Sequence, residues 1–173
     1  MTPAQLLGHR KQKDAFFKTH PNSPLTPEQQ MQFEGLQYYD HNPDLNLMVV
    51  VTPFEKKEDV QIQTTKGEPR WYRRYGEFTF EVDGEEVRLT LYQTPHGFFL
   101  PFVDANASTE TYPTGRYLDL HPDEDDTFHV DFNQAYNPFC AYNDQWVCPI
   151  TPAENRLAVA ILAGEKMPIG KWV

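Results

Sequence analysis

The sequence is poor in cysteine, in basic charge and in long apolar runs. There are two cysteines in 173 residues, so no disulfide framework of several bridges can hold the chain together. The spacing of Cys140 and Cys148, with seven residues between them, lacks the C-x2-C step of zinc-binding motifs, and no metal site is expected. Lys and Arg number 15 against 25 Asp and Glu, a formal net charge of −10. No stripe of basic residues tracks a phosphate backbone, so neither nucleic acid nor an anionic membrane is an expected partner. The two short basic clusters, His9 to Lys13 and Arg70 to Arg74, read as a solvated helix face and as a strand interleaved with Trp71 and Tyr72. No run of apolar residues reaches membrane-spanning length, and no signal-peptide core follows Met1. The expected location is the cytoplasm, where thiols stay reduced.

What is present is aromatic and proline-rich. Aromatics make up 14% of the chain, most of them Phe and Tyr, which suit pleated, half-buried surfaces. The 15 prolines fall mostly between apolar runs. Residues Ala4 to Lys18 have helical character. A second, short helix is expected from Thr26, an N-cap followed by Pro27, to near Gly35.

The period then changes from helical to extended. Strands are expected at Leu47–Thr52, Val60–Thr64 and Phe78–Val82. A return strand carries Val87, Leu89 and Leu91, and others follow at Phe98–Val103, Arg116–Leu120, Phe128–Phe132 and Leu157–Ala163. Asp83-Gly84 is a two-residue hairpin signal, because both central positions require positive φ. About eight strands with short connections imply antiparallel pairing. The expected fold is mainly β: a single-domain antiparallel barrel or two-sheet sandwich preceded by two short helices. The expected segments are 1–35 helical, 36–165 β, and 166–173 a tail that is either mobile or a docked lid.

Chemistry-bearing residues concentrate between Gly115 and Glu165. Phe128, Val130 and Phe132 share one face of their strand, which places His129, Asp131 and Asn133 on the other. Asp131 and Asn133 either brace the irregular backbone that follows or contact a ligand. Arg116 either forks onto an anionic group or pairs internally with Asp131 or Glu154. Cys140 and Cys148 read first as buried structural thiols, then as metal ligands, a nucleophile or a disulfide. The acidic run Asp123 to Asp126 lacks the ligand spacing of a calcium loop and reads as a solvated hairpin tip.

The segments GRYLDL, DFNQAYNPFCAY and CPITPAENRLAVAILAGEK, with SPLTPEQQMQFEGLQYY and FVDANASTETYPTGRY upstream, resemble a prokaryotic family known as domain of unknown function 1684. The resemblance spans nearly the whole chain and implies a compact β-rich domain without assigning a reaction. It departs at Pro113-Thr114, where family members usually carry glycine, which argues against a backbone phosphate cradle.

Three functions compete. The first is a small-molecule-binding β domain with a polar pocket lined by Arg116, Tyr117, Asp131, Asn133, Tyr136, Asn137, Tyr142 and Glu154, its cofactor, if any, unknown. The second is a hydrolase-type enzyme using Cys140 or an Asp131/Glu154 pair. The third is a non-catalytic interaction protein presenting Trp71, Tyr72 and Trp172.

Overall fold

The structure is a computed structural model, and it describes residues 1–168. Two helices open the chain. Helix α1 spans Pro3–Thr19. Thr2 caps it: its hydroxyl accepts from Gln5 N–H at 3.2 Å, and the Gln5 side chain accepts from Thr2 N–H at 2.9 Å. The helix buries only Leu6 and Phe17, in keeping with its weak periodicity, and stops before Pro21. Helix α2 spans Pro27–Gln32 under the same reciprocal cap from Thr26 and Gln29, and ends short of Gly35.

Among the described residues seven strands follow, in two antiparallel sheets. In chain order they are β1 Asn46–Val50, β2 Thr52–Ile62, β3 Arg70–Val82, β4 Glu85–Thr94, β5 Gly97–Phe102, β6 Arg116–Leu120 and β7 Thr127–Asp131. The larger sheet is a meander, β2-β3-β4-β5-β6, and the smaller pairs β1 with β7. Neither sheet closes into a barrel. The run from Leu47 to Thr52 is divided at Val51, where the chain leaves one sheet and enters the other. Asp83 and Gly84 form the expected hairpin, with φ of 51° and 82°.

Strands β2 and β3 are longer than their apolar alternation foretold. Their added halves carry Glu55 to Asp59 on the edge strand β2 and Arg70 to Arg74 on its neighbour β3, charge-rich stretches that leave no period-two signature. The pairing of β3 shifts at Gly76, where a Cβ would lie 2.5 Å from the Thr52 carbonyl oxygen.

The main core lies between the two sheets. Phe78, Phe80, Leu89, Leu91, Leu100, Phe102, Leu118 and Leu120 face it from one side, and Phe128, Val130 and Phe132 from the other. Phe132 sits at its centre, 5.3 Å from Phe80 and 5.2 Å from Phe102 between ring centroids.

The expected eighth strand is not one. Val159, Ile161 and Ala163 are buried in alternation, but the chain bends at 158–159 and again at 163, and it joins neither sheet. Backbone bonds to Val103 and Ala105 hold the first half of this segment, with Leu157 N–H on the Val103 carbonyl at 2.7 Å and Ala105 N–H on the Val159 carbonyl at 2.9 Å, and side chains hold the rest, as described below. Among the described residues no helix is long and apolar enough to cross a membrane. The start of the tail is docked, with Lys166 N–H on the Gln37 carbonyl and Met167 N–H on that of Glu110, both at 2.8 Å. The rest of the expected tail, including Trp172, lies outside the described residues.

Candidate functional site

The residues singled out between Gly115 and Glu165 separate into two groups. One group is enclosed. Arg116, 1% exposed, leaves β6 toward the 157–165 segment. Its guanidinium donates to the carbonyls of Ala163, of Ile161 at 2.9 Å and of Glu165 at 3.1 Å. Asp104, not Asp131 or Glu154, is its carboxylate partner, at 3.5 Å. Asp104 in turn accepts from Ile161 N–H at 2.9 Å and from the Thr111 hydroxyl at 2.6 Å. Arg116 and Asp104 therefore satisfy the backbone of Ile161, Ala163 and Glu165 where no strand lies alongside, while Leu157 and Val159 bond the backbone of Val103 and Ala105. Burial lowers the Arg116 pKa and the Asp104 charge opposes the shift.

Asp131 and Asn133 form a second enclosed unit. Asp131 caps the turn at Phe132–Gln134, accepting from Asn133 N–H at 3.1 Å and from the Asn133 amide at 2.9 Å. Asn133 binds both backbone groups of Asn42 at 2.8 Å. The face of β7 opposite the core is thus not open to solvent at this end, since Met1 and Arg10 of the N-terminal segment also lie against it.

The third unit centres on Glu165, 1% exposed. It receives Lys13 from α1, Asn137 N–H at 2.7 Å and the Tyr142 hydroxyl at 3.2 Å. Asn137 also donates to Tyr142 and to the Lys166 carbonyl. Burial pushes the Tyr142 hydroxyl well above the usual phenol range. Asn155, with no exposed surface, clamps Thr90 N–H, Thr90 C=O and Pro101 C=O, each at 2.8 Å. Glu165, Asp104 and Asn155 were not singled out from sequence. The readable signal for two of them is a polar side chain at either end of the buried run 157–163.

Glu154 stands apart from all of these. It pairs with both ends of Arg74, at 3.0 and 2.8 Å, and accepts from the Tyr92 hydroxyl. Burial would raise its pKa, but the bonds from Arg74 and Tyr92 outweigh it and the net shift is downward. Asp131 and Glu154 share no partner, and the acid/base pair inferred from their residue types is not assembled.

The other group opens onto a cleft. The register of the large sheet places Tyr72, Arg74, Tyr92, Phe99, Asp119 and Tyr117 on the face that turns away from the main core. Tyr136 bridges to Tyr117 by reciprocal backbone bonds of 2.9 and 3.0 Å, and its ring adds to that face. Four rings make a continuous wall. Tyr72 stacks on Phe99 with centroids 5.3 Å apart, Phe99 meets Tyr117 edge-on at 4.8 Å, and Tyr117 meets Tyr136 edge-on at 5.8 Å. The cleft they floor has a volume of about 410 Å³ and is rimmed by Arg70, His96, Asp119, His121 and Pro149. The Tyr136 hydroxyl donates to Asp119 at 2.6 Å. The Tyr117 hydroxyl donates to the Pro149 carbonyl. Burial pushes the hydroxyls of Tyr72, Tyr117 and Tyr136 above the usual phenol range, so all three stay protonated. A smaller polar hollow between β6, β7 and α1 adjoins it, lined by His9, Lys13, His129 and Asp131 and sharing Asp119 and Tyr136. Arg116, Asn133, Asn137 and Glu154 line neither.

Among the described residues no three His, Cys, Asp or Glu side chains are grouped to hold a metal ion. Of the aromatic residues expected at an interaction surface, Trp71 is exposed, while Tyr72 belongs to the cleft wall.

Residues 31–166 match the model of a family described as Protein of unknown function (DUF1684). The chain belongs to this family. No curated protein matches it. Among solved structures, the solution NMR structure of an uncharacterized protein of Haloarcula marismortui is similar. It shares 36% sequence identity and a TM-score of 0.73, over 97% of this chain and 95% of that one. The DUF1684 match runs from α2 to the docked start of the tail, and so takes in the cleft, the three braces and the Asn155 clamp.

Proposed function

We propose that this DUF1684 protein is a small-molecule-binding β domain, and that its ligand occupies the cleft floored by Tyr72, Phe99, Tyr117 and Tyr136. The observation that carries the reading is the unbroken four-ring wall on the outer face of the large sheet. Such rings offer flat apolar contact, and their protonated hydroxyls offer fixed dipoles. A volume of about 410 Å³ suits a molecule of drug-like or metabolite size. Arg70 supplies the rim's cation, with one guanidinium nitrogen on the Val147 carbonyl at 3.0 Å. The ligand chemistry that fits is a planar, largely apolar body bearing an anionic group placed against Arg70.

The first test is native mass spectrometry of freshly purified protein beside its denatured mass, followed by thermal shift with benzoate, naphthoate and their neutral amides. The expected result is a rise in Tm with the aryl carboxylates that is smaller with the amides. Tyr72→Ala should abolish the rise and Arg70→Gln should weaken it. A rise that survives both substitutions, or no adduct and no shift with any compound, rejects this cleft as the site.

A further inference from the structure

The two cysteines meet in space beside the cleft. Cys140 lies in the turn Phe139–Ala141, and its N–H donates to the Cys148 sulfur at 3.3 Å. Each thiol acts on the charge of the other. The Tyr112 hydroxyl stands 3.8 Å from Cys140 Sγ. Cys148 is held in place through its backbone, with its N–H on Thr65 Oγ1 at 3.2 Å and its carbonyl taking Thr65 N–H at 3.0 Å. The positive charge of Arg70 acts on Cys148. Both thiols are free and nearly enclosed, and the neighbour of Cys148, Pro149, forms part of the cleft rim.

This environment is asymmetric. Cys148 has a neighbouring thiol, a backbone donor and a cation, all of which favour its thiolate. At Cys140 the charge gathered at Cys148 keeps the proton in place. The neighbouring Cys140 outweighs burial and pulls Cys148 down to about 7, while the same proximity pushes Cys140 up. One sulfur is set to attack and the other to remain protonated beside it.

We propose that Cys148 and Cys140 form a peroxide-reactive dithiol, in which Cys148 attacks and Cys140 resolves the product to an intramolecular disulfide. In the first step the Cys148 thiolate attacks one oxygen of a hydroperoxide. The O–O bond breaks, a Cys148 sulfenic acid forms, and the second oxygen leaves as hydroxide or alkoxide. In the second step the Cys140 sulfur attacks the Cys148 sulfur as its proton leaves. The S–O bond breaks, the S–S bond forms, and the oxygen departs as water. With hydrogen peroxide the sum is two thiols and one peroxide giving one disulfide and two waters. The thiols lose two electrons and the O–O bond gains them.

The test treats the reduced protein with hydrogen peroxide in the presence of dimedone, then denatures, alkylates and weighs it. Wild type is expected to fall in mass by about 2 Da, the loss of two hydrogens, and to lose both alkylation sites, with dithiothreitol restoring them. Cys140→Ser should carry dimedone at Cys148. Cys148→Ser should leave Cys140 unmodified at the same exposure. The proposal is overturned if wild type keeps two free thiols at peroxide levels that oxidise free cysteine, if the disulfide joins two chains, or if the two variants take up dimedone equally. The wild-type mass decides even where a variant does not fold. None of these readouts depends on whether the cleft binds a ligand.

Discussion

The region around residues 157–165 and the outer face of the large sheet both concentrate polar and aromatic side chains, yet they are built on opposite plans. In the first, Arg116, Asp104, Asn155 and Glu165 are almost fully enclosed and bond to backbone or side chains of this chain. In the second, Tyr72 and Tyr136 lie half open beside the buried Phe99 and Tyr117, and the rim carries Arg70, His96 and His121 at the mouth of a cleft. A buried polar group must find partners inside the protein, and once it has them little is left for a ligand. Side-chain type therefore does not separate architecture from site. The count of partners already in place does.

The comparison breaks first at Arg116. Arg116→Met should destabilise the fold by about 3–5 kcal/mol, since it strands the Asp104 carboxylate and three carbonyls away from water. Denaturant unfolding measures this, and a loss under about 1 kcal/mol would mean that the 157–165 segment does not need its side-chain partner. Asn155→Ala should come next, at about 3 kcal/mol, because Thr90 and Pro101 lose three bonds at a site with no solvent. Recovery of stability in an Asn155→Asp variant would contradict the clamp, since aspartate cannot donate to the two carbonyls.

Tyr72→Ala sharpens the other side. Its cost in stability should be about 1–2 kcal/mol, since the half-open ring is only partly withdrawn from water, while ligand-induced Tm shifts disappear. The smallest expected effect is at Glu154, which is partly exposed. Its folded pKa lies below the ordinary carboxylate value of 4.5, so it contributes stability that is present above that value and lost as pH falls through the folded pKa. Glu154→Gln should flatten the acid limb of stability against pH by about 0.5–1 kcal/mol, discounted for solvent screening. An unchanged acid limb would show that the Arg74 pair contributes nothing measurable.

Much of the fold was legible before the structure. Thr26-Pro27 marked α2, Asp83-Gly84 marked the hairpin, and the alternation in Phe78–Val82 placed the inner face of β3. Two extents were not. The charged halves of β2 and β3 carry no hydrophobic period, and residues 157–163 alternate like a strand while their bonds are divided between the Val103 and Ala105 backbone and the side chains of Arg116 and Asp104. For the candidate site, Tyr117 and Tyr136 were legible as tyrosines near a turn-rich stretch. Tyr72 and Phe99 were not, because the cleft forms only when β3, β5 and β6 are laid in register.

By itself the sequence determined where the chain turns, which residues face inward, and that β structure follows helix, because these depend on local dihedral preference and on the two hydrophobic periods. The tertiary structure alone decided that Arg116 is a brace, that Asp131 and Glu154 do not meet, that Cys140 and Cys148 do, and that four rings line one cleft. Most of these turn on which residues distant along the chain come together. Such meetings are set by sheet register and by the competition among buried polar groups for partners, which no local pattern encodes.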